Sequence, residues 1–124
     1  MRELNLIARL IGRIEHEGRR AGAVRISSVR LRVGECAGVR PAALVLAFQR
    51  LAVGTIAQGA GLEIEVLPLE SSCEVCGCRF RVVQFSFECP YCGSCRTRVV
   101  AGEDVVLESV TVVTAYDPSL TRVH

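Results

Sequence analysis

Two cysteine knuckles of the same form constrain this chain more than any other feature. They read Cys73-Glu74-Val75-Cys76-Gly77 and Cys89-Pro90-Tyr91-Cys92-Gly93, with the twelve residues Gly77 to Glu88 between Cys76 and Cys89. Two residues between cysteines let both thiolates of a knuckle face one ion, and the glycine that follows suits the tight turn beneath it. The second pair completes a tetrahedral four-sulfur shell, the donor set that suits structural Zn2+. Cys73, Cys76, Cys89 and Cys92 are therefore the expected zinc ligands. The spacer carries two short apolar runs, Phe80/Val82 and Phe85/Phe87, which predict the two arms of a hairpin. A disulfide framework fits less well, because seven cysteines is an odd count and disulfides need an oxidising compartment. A redox Cys-x-x-Cys would not come twice in facing knuckles. Cys36, Cys78 and Cys95 fall outside the pattern.

At 124 residues the chain can bury one small core and carry a metal-stapled module beside it. Half of it is hydrophobic and the mean hydropathy is +0.35, enough to fill that core or to leave apolar surface for a partner. The longest apolar segment, Ala42 to Phe48, is too short to span a bilayer. Arg2 and Glu3 lead into helical periodicity rather than an apolar signal-peptide block, so a cytoplasmic, reducing location is expected, in keeping with free thiolates. A net charge of +2 does not call for a polyanion. All the basic residues are arginine.

Met1 to about Gly18 predicts an amphipathic helix, with Leu4, Ile7, Leu10, Ile11 and Ile14 on one stripe. Val24 to Glu35 predicts a strand, Val29, Leu31 and Val33 alternating with Arg30 and Arg32; Ile26 is out of phase, which predicts a bulge near Ser27-Ser28. After a turn at Gly34 to Gly38, Pro41 suits the first position of a second helix running to about Ala57. That helix is apolar almost all round and is expected to be the most buried element. A second strand follows with Leu62, Ile64 and Val66 inward and Glu63 and Glu65 outward, ended by Pro68. Val105 to Thr114 predicts a last strand. The fold class expected is α/β, two helices packed on a small three-stranded sheet with an inserted four-cysteine zinc ribbon. The domains expected are 1–70 plus 101–115 for the α/β part, 71–100 for the ribbon, and a loose tail at 116–124.

This order of elements, the Gly34-Glu35 turn into the Pro41 helix, the inserted Cys-x-x-Cys pairs and the final Glu108-Ser109-Val110 strand resemble the HypA/HybF family over residues 1 to about 113. These are nickel metallochaperones for [NiFe]-hydrogenase maturation, some of which also serve urease. The resemblance implies transient Ni2+ at the N-terminus, built from the terminal amine, backbone nitrogens and an imidazole at position two, with the acidic residue at position three nearby. Ni(II) favours such tetragonal nitrogen donors. On this chain the site falls on Met1, Arg2 and Glu3. Glu3 matches, but Arg2 replaces the family's histidine, and a protonated guanidinium has no lone pair for a metal. His16 cannot substitute, since fourteen residues of helix place it about 21 Å away; His124 would have to fold back from the tail.

The function implied is a non-enzymatic maturation factor that docks on the immature hydrogenase large subunit and, with a HypB-type GTPase, helps place nickel. Such proteins are monomers or homodimers. The rival is a diverged paralogue that keeps the docking surface without delivering nickel. A nucleic-acid-binding ribbon is a weaker alternative: Arg79, Arg81, Arg96 and Arg98 interleave with Phe80, Phe85, Phe87 and Tyr91, as single strands favour, but Glu63, Glu65, Glu70 and the near-zero net charge oppose it. An enzyme has little support, because a four-cysteine shell leaves no open position for water and there is no phosphate loop or nucleophile elbow. No membrane role is expected.

Overall fold

The computed structural model describes residues 2–115 and the backbone of 120–123. The elements run α1 (Arg2–Arg20), β1 (Ala23–Gly34), α2 (Pro41–Leu51), β2 (Gly61–Leu67), β3 (Glu70–Cys73), β4 (Arg79–Arg81), β5 (Thr97–Ala101), β6 (Val105–Thr114) and β7 (Leu120–Val123). They divide into two compact units. The first holds Met1–Arg32, Val39–Glu65 and Val106–His124; the second holds Val33–Gly38 and Val66–Val105.

In the first unit α1 and α2 pack on each other, and the sheet order is β2-β1-β6-β7. The α1 stripe buries Ile7, Ile11 and Ile14, and α2 adds Leu44, Ala47 and Phe48. From the sheet come Ile26, Val29, Leu31, Val110 and Val112. Gly18 lets α1 close on β1: a Cβ there would meet the Ile26 side chain at 2.9 Å and that of Ile56 at 3.1 Å. Burial changes phase along β1 between Ile26 and Val29, as the sequence indicated. Arg30 and Arg32 interleave with three carboxylates of the neighbouring strands. Arg30 lies 3.3 Å from Glu108 and 3.9 Å from Glu63, and Arg32 lies 3.4 Å from Glu108 and 3.7 Å from Glu65. The described residues contain no helix long and apolar enough to cross a membrane.

Four sequence expectations for these helices and strands are corrected. The second helix ends at Leu51, not near Ala57. Gly54 turns into the left-handed region at φ 81°, the Thr55 hydroxyl donates to the Ala52 carbonyl at 2.7 Å, and the Gly54 N–H donates to Gln58 Oε1 at 2.9 Å. These local bonds give the backbone an alternative to further helix. Nor is α2 the most buried element, since Leu46 is 61% and, just past its end, Val53 is 65% exposed. In β2 the alternation fails at Val66, which is exposed. The sheet has four strands rather than three, because Leu120–Val123 pairs antiparallel with β6, Val110 opposite Val123 and Val113 opposite Leu120. That part of the expected loose tail is a strand; residues 116–119 and His124 lie outside the described residues.

The second unit is built on the sheet β4-β3-β5. Strand β3 pairs antiparallel on both sides, Ser71 opposite Phe80 and Cys73 opposite Thr97. Its small core is Leu69, Cys73, Phe80, Val82 and Cys89, with Val99 against it. The spacer is not two equal arms. Phe80 and Val82 are buried, but Phe85 is 76% exposed and Phe87 is exposed too. The chain reverses tightly at Gln84 (φ 53°) and Phe85 (φ 57°), with Val83 bridged to Ser86. Two successive left-handed residues make a turn whose twist suits a hairpin, so Phe85 sits in the tip itself and Phe87 just beyond it, and neither enters the core.

Candidate metal centre

Each knuckle is shaped by its own backbone before any ion is considered. In the first, Cys73 N–H donates to the Cys78 carbonyl at 2.9 Å and Gly77 N–H donates to the Cys73 carbonyl at 3.0 Å. The second repeats this, Cys89 N–H to the Ser94 carbonyl and Gly93 N–H to the Cys89 carbonyl, both at 2.9 Å. Gly77 and Gly93 sit at φ 77° and 78°, the left-handed region that a Cβ disfavours. Thr97 ties the return strand to the spacer by donating its hydroxyl to the Phe87 carbonyl at 2.6 Å.

The two knuckles bring the sulfurs of Cys73, Cys76, Cys89 and Cys92 within 4.8 Å of one another. Cys73 Sγ lies 3.6 Å from Cys92 Sγ, and Cys76 Sγ lies 3.7 Å from Cys89 Sγ. A tetrahedron of sulfurs about 2.3 Å from a central Zn2+ has edges of about 3.8 Å, so the shell already has the size the ion requires. Cys73 and Cys89 are buried, while Cys76 and Cys92 lie at the surface.

Backbone N–H donors pull two of the four thiols below their ordinary range. The Cys76 N–H, opposed by burial and aided by the Val75 N–H, draws the Cys73 thiol down to about 6; these donors stand 3.5 and 3.4 Å from its sulfur. At Cys89 burial pushes the thiol up, but N–H groups of Cys92 and Tyr91 outweigh it and the net shift is downward. Cys76 is pushed up to about 12: the Cys78 N–H pulls it down, and burial together with the thiols of Cys89, Cys78 and Cys73 prevails. Cys92 shifts upward too, against the Ser94 N–H and chiefly because of Cys73. Each low thiol thus faces a high one across the short sulfur contacts, and Cys73, Cys76, Cys89 and Cys92 would hold a dication by giving up their remaining protons.

Cys36, Cys78 and Cys95 are exposed and lie outside this shell. Every cysteine of the chain nevertheless belongs to the second unit. Residues 33–38 join it through Cys36 N–H to the Gly102 carbonyl at 2.9 Å and Glu35 N–H to the Leu67 carbonyl at 2.8 Å. Glu35 also accepts the Leu69 N–H at 2.7 Å and pairs with Arg81 at 3.5 Å. The sequence reading missed this role for Glu35, because a lone acid in a turn carries no periodic signal.

The other expected metal residues lie at the start of α1. Met1 is outside the described residues, and Arg2 opens the helix. Glu3 is only 6% exposed. Its Oε2 accepts the Arg40 N–H at 3.1 Å and stands 4.0 Å from the Arg40 guanidinium. The Arg40 N–H above all, with Arg40 and Arg2 charges, holds its carboxyl below the ordinary value despite burial. His16 is exposed on α1.

A family model described as hydrogenase/urease nickel incorporation, metallochaperone, hypA matches residues 1–112. The hydrogenase maturation factor HypA of Chlorobium limicola is 39% identical over 112 residues, covering 90% of this chain and 97% of that protein. Its counterpart in Nitrosospira multiformis is 39% identical over 114 residues, covering 92% and 99%. Among solved structures, the Ni metallochaperone HypA from Helicobacter pylori matches with a TM-score of 0.67 and 21% identity, over 90% of this chain and 97% of that one. Another HypA solution structure matches with a TM-score of 0.72 and 22% identity, over 87% and 92%. These two show the fold.

Proposed function

Because this chain belongs to the HypA family of nickel-incorporation metallochaperones, we propose that it serves [NiFe]-hydrogenase maturation by presenting nickel at the start of α1, with zinc as a separate structural ion. The observation that carries this is the match over residues 1–112, which spans both the N-terminal helix and the four-cysteine shell. Zinc and nickel have different tasks. Zn2+ in a four-thiolate shell has no open position and supplies folding energy to the ribbon through Cys73, Cys76, Cys89 and Cys92. Nickel is cargo, and a carrier site must open to release it.

At the terminus the available donors are the Met1 amine and the backbone nitrogens of Arg2 and Glu3. The Glu3 carboxylate is committed to Arg40, so its part is to fix the terminus against α2 rather than to swing freely as a ligand. Arg2 sets a charge beside an incoming dication, which opposes binding. A remaining donor then comes from the client, the immature large subunit, with a HypB-type GTPase assisting transfer. Free thiols and the absence of a long apolar helix among the described residues favour a cytoplasmic setting. The α/β part and the ribbon act as separable domains in this reading.

Nickel titration of tag-free protein with its native N-terminus, with and without the cognate large subunit, tests it. Weak binding alone that tightens with the large subunit is the expected result. If hydrogenase maturation survives both Glu3→Ala and deletion of the first three residues, delivery by this terminus is refuted, and the chain is a docking factor without nickel transfer.

A further inference from the structure

Leu46 is the most exposed leucine of α2, and it does not stand alone. It borders a groove of about 160 Å³ lined by Leu4, Arg40, Ala43, Leu46, Ala47 and Arg50. The floor is aliphatic and both polar walls are arginine. Arg50 makes no ion pair among the described residues, and Arg40 keeps its side chain 79% exposed at 4.0 Å from Glu3. Leu51, the last residue of α2, and Val53 beyond it are exposed as well, at 36% and 65%. The surrounding charge has the same sign. The two helices with Arg40 carry seven arginines against three glutamates, and each glutamate already has an arginine within reach: Glu3 with Arg40, Glu15 with Arg19, Glu17 with Arg20.

From this charge complementarity we propose that the groove between the start of α1 and the outer face of α2 docks an acidic amphipathic helix of a partner protein, an aliphatic side chain seated beside Leu46 and carboxylates on Arg40 and Arg50. The volume holds an aliphatic side chain, and such an anchor in a desolvated pocket dominates helix-in-groove recognition. Arg40 stands at the cap of α2 and Arg50 ten positions further along, a separation of about 15 Å along the helix axis. A helical ligand with acidic residues at i and i+11 and a leucine at i+7, all on one face, matches that span. A second copy of this chain fits poorly, because an isologous contact would set arginine against arginine. A bilayer fits poorly as well, since α1 turns its apolar stripe inward at Ile7, Ile11 and Ile14 and offers no broad apolar face to insert. The docking surface is independent of whether Arg2 permits nickel binding.

The test uses the full zinc-loaded chain without nickel and a fluorescent synthetic helix bearing Glu, Leu and Glu on one face at that spacing. Anisotropy is expected to show binding that weakens with salt and falls at least tenfold for Leu46→Ser and for Arg50→Glu. The same helix with Lys for Glu is expected to bind the native chain at least tenfold more weakly and to regain affinity for Arg50→Glu. Both positions are exposed, and unchanged circular dichroism and zinc content confirm that the variants fold. Equal binding of the Glu and Lys helices overturns the proposal, as does indifference to Leu46→Ser. It is also overturned if Leu46→Ser instead converts a dimer to monomer in sedimentation, or abolishes binding to phosphatidylserine vesicles while leaving the peptide bound.

Discussion

The Glu3 carboxylate accepts the backbone N–H of Arg40 at 3.1 Å, joining the first turn of α1 to the residue that opens α2 across 37 positions of chain. Helix α2 needs this acceptor. Arg40 provides no side-chain cap, and Pro41 holds the first helical position without an N–H. A buried carboxylate there satisfies an otherwise unmade donor and faces the positive end of the α2 dipole.

The pH dependence follows from that bond. Since the folded state holds the Glu3 carboxyl below its ordinary value of 4.5, it binds fewer protons than the unfolded chain as pH falls through that region. The stabilisation is therefore full above 4.5 and is lost as pH drops through the lower folded value. Urea midpoints of the native chain and Glu3→Gln should differ at neutral pH and converge in acid. A constant difference would assign the effect of Glu3 to packing instead.

Purified protein should hold a single zinc, and Ala at Cys73, Cys76, Cys89 or Cys92 should release it and unfold the ribbon. Structural zinc supplies apparent folding free energy on the order of 10–16 kcal/mol. Metal analysis of Cys36→Ala, Cys78→Ala and Cys95→Ala should show zinc retained. Loss of metal in one of these three, with retention in a knuckle variant, would reassign the ligands.

Chelation should strip amide protection from residues 73 to 98 while the first unit keeps its own. The ribbon core is only five buried residues, two of them zinc-shell cysteines, whereas the first unit buries Ile7, Ile14, Ile26, Leu31 and Phe48 without metal. Hydrogen exchange on zinc-free protein reads this directly. Uniform loss across both units would show one cooperative domain.

Arg2→His should tighten Ni(II) binding at neutral pH. Imidazole, with a pKa near 6.5, offers a neutral nitrogen there, and the substitution also removes a positive charge beside the dication. Each tenfold gain corresponds to about 1.4 kcal/mol, well within reach of a titration. No gain would mean that the position two side chain does not reach the metal in this chain.

Gly34 and Gly102 meet backbone to backbone. A Cβ on Gly34 would lie 2.2 Å from the Gly102 carbonyl, and one on Gly102, at φ 98°, would lie 2.5 Å from Leu69 Cα. Neither neighbour is a flexible side chain that could yield. Gly102→Ala should destabilise by roughly 3 kcal/mol, from overpacking and left-handed strain together, seen as a lower urea midpoint; Gly54→Ala, with open space around its Cβ position, should cost less.

What the sequence determined on its own is what short spacing encodes. Cys73-x-x-Cys76-Gly and Cys89-x-x-Cys92-Gly specify their knuckles locally, because the backbone bonds that aim each sulfur pair span five residues. The stripe Ile7, Ile11 and Ile14 and the alternation Val29, Leu31 and Val33 report burial in the same local way. Tertiary structure decided what has no local period. Leu46 is apolar yet exposed, because only the face of α2 bearing Leu44, Ala47 and Phe48 turns inward. Leu120–Val123 becomes a strand because β6 offers it an edge. Glu3, read from sequence as a family metal residue, is occupied by Arg40, because two helix ends far apart in the chain meet in space.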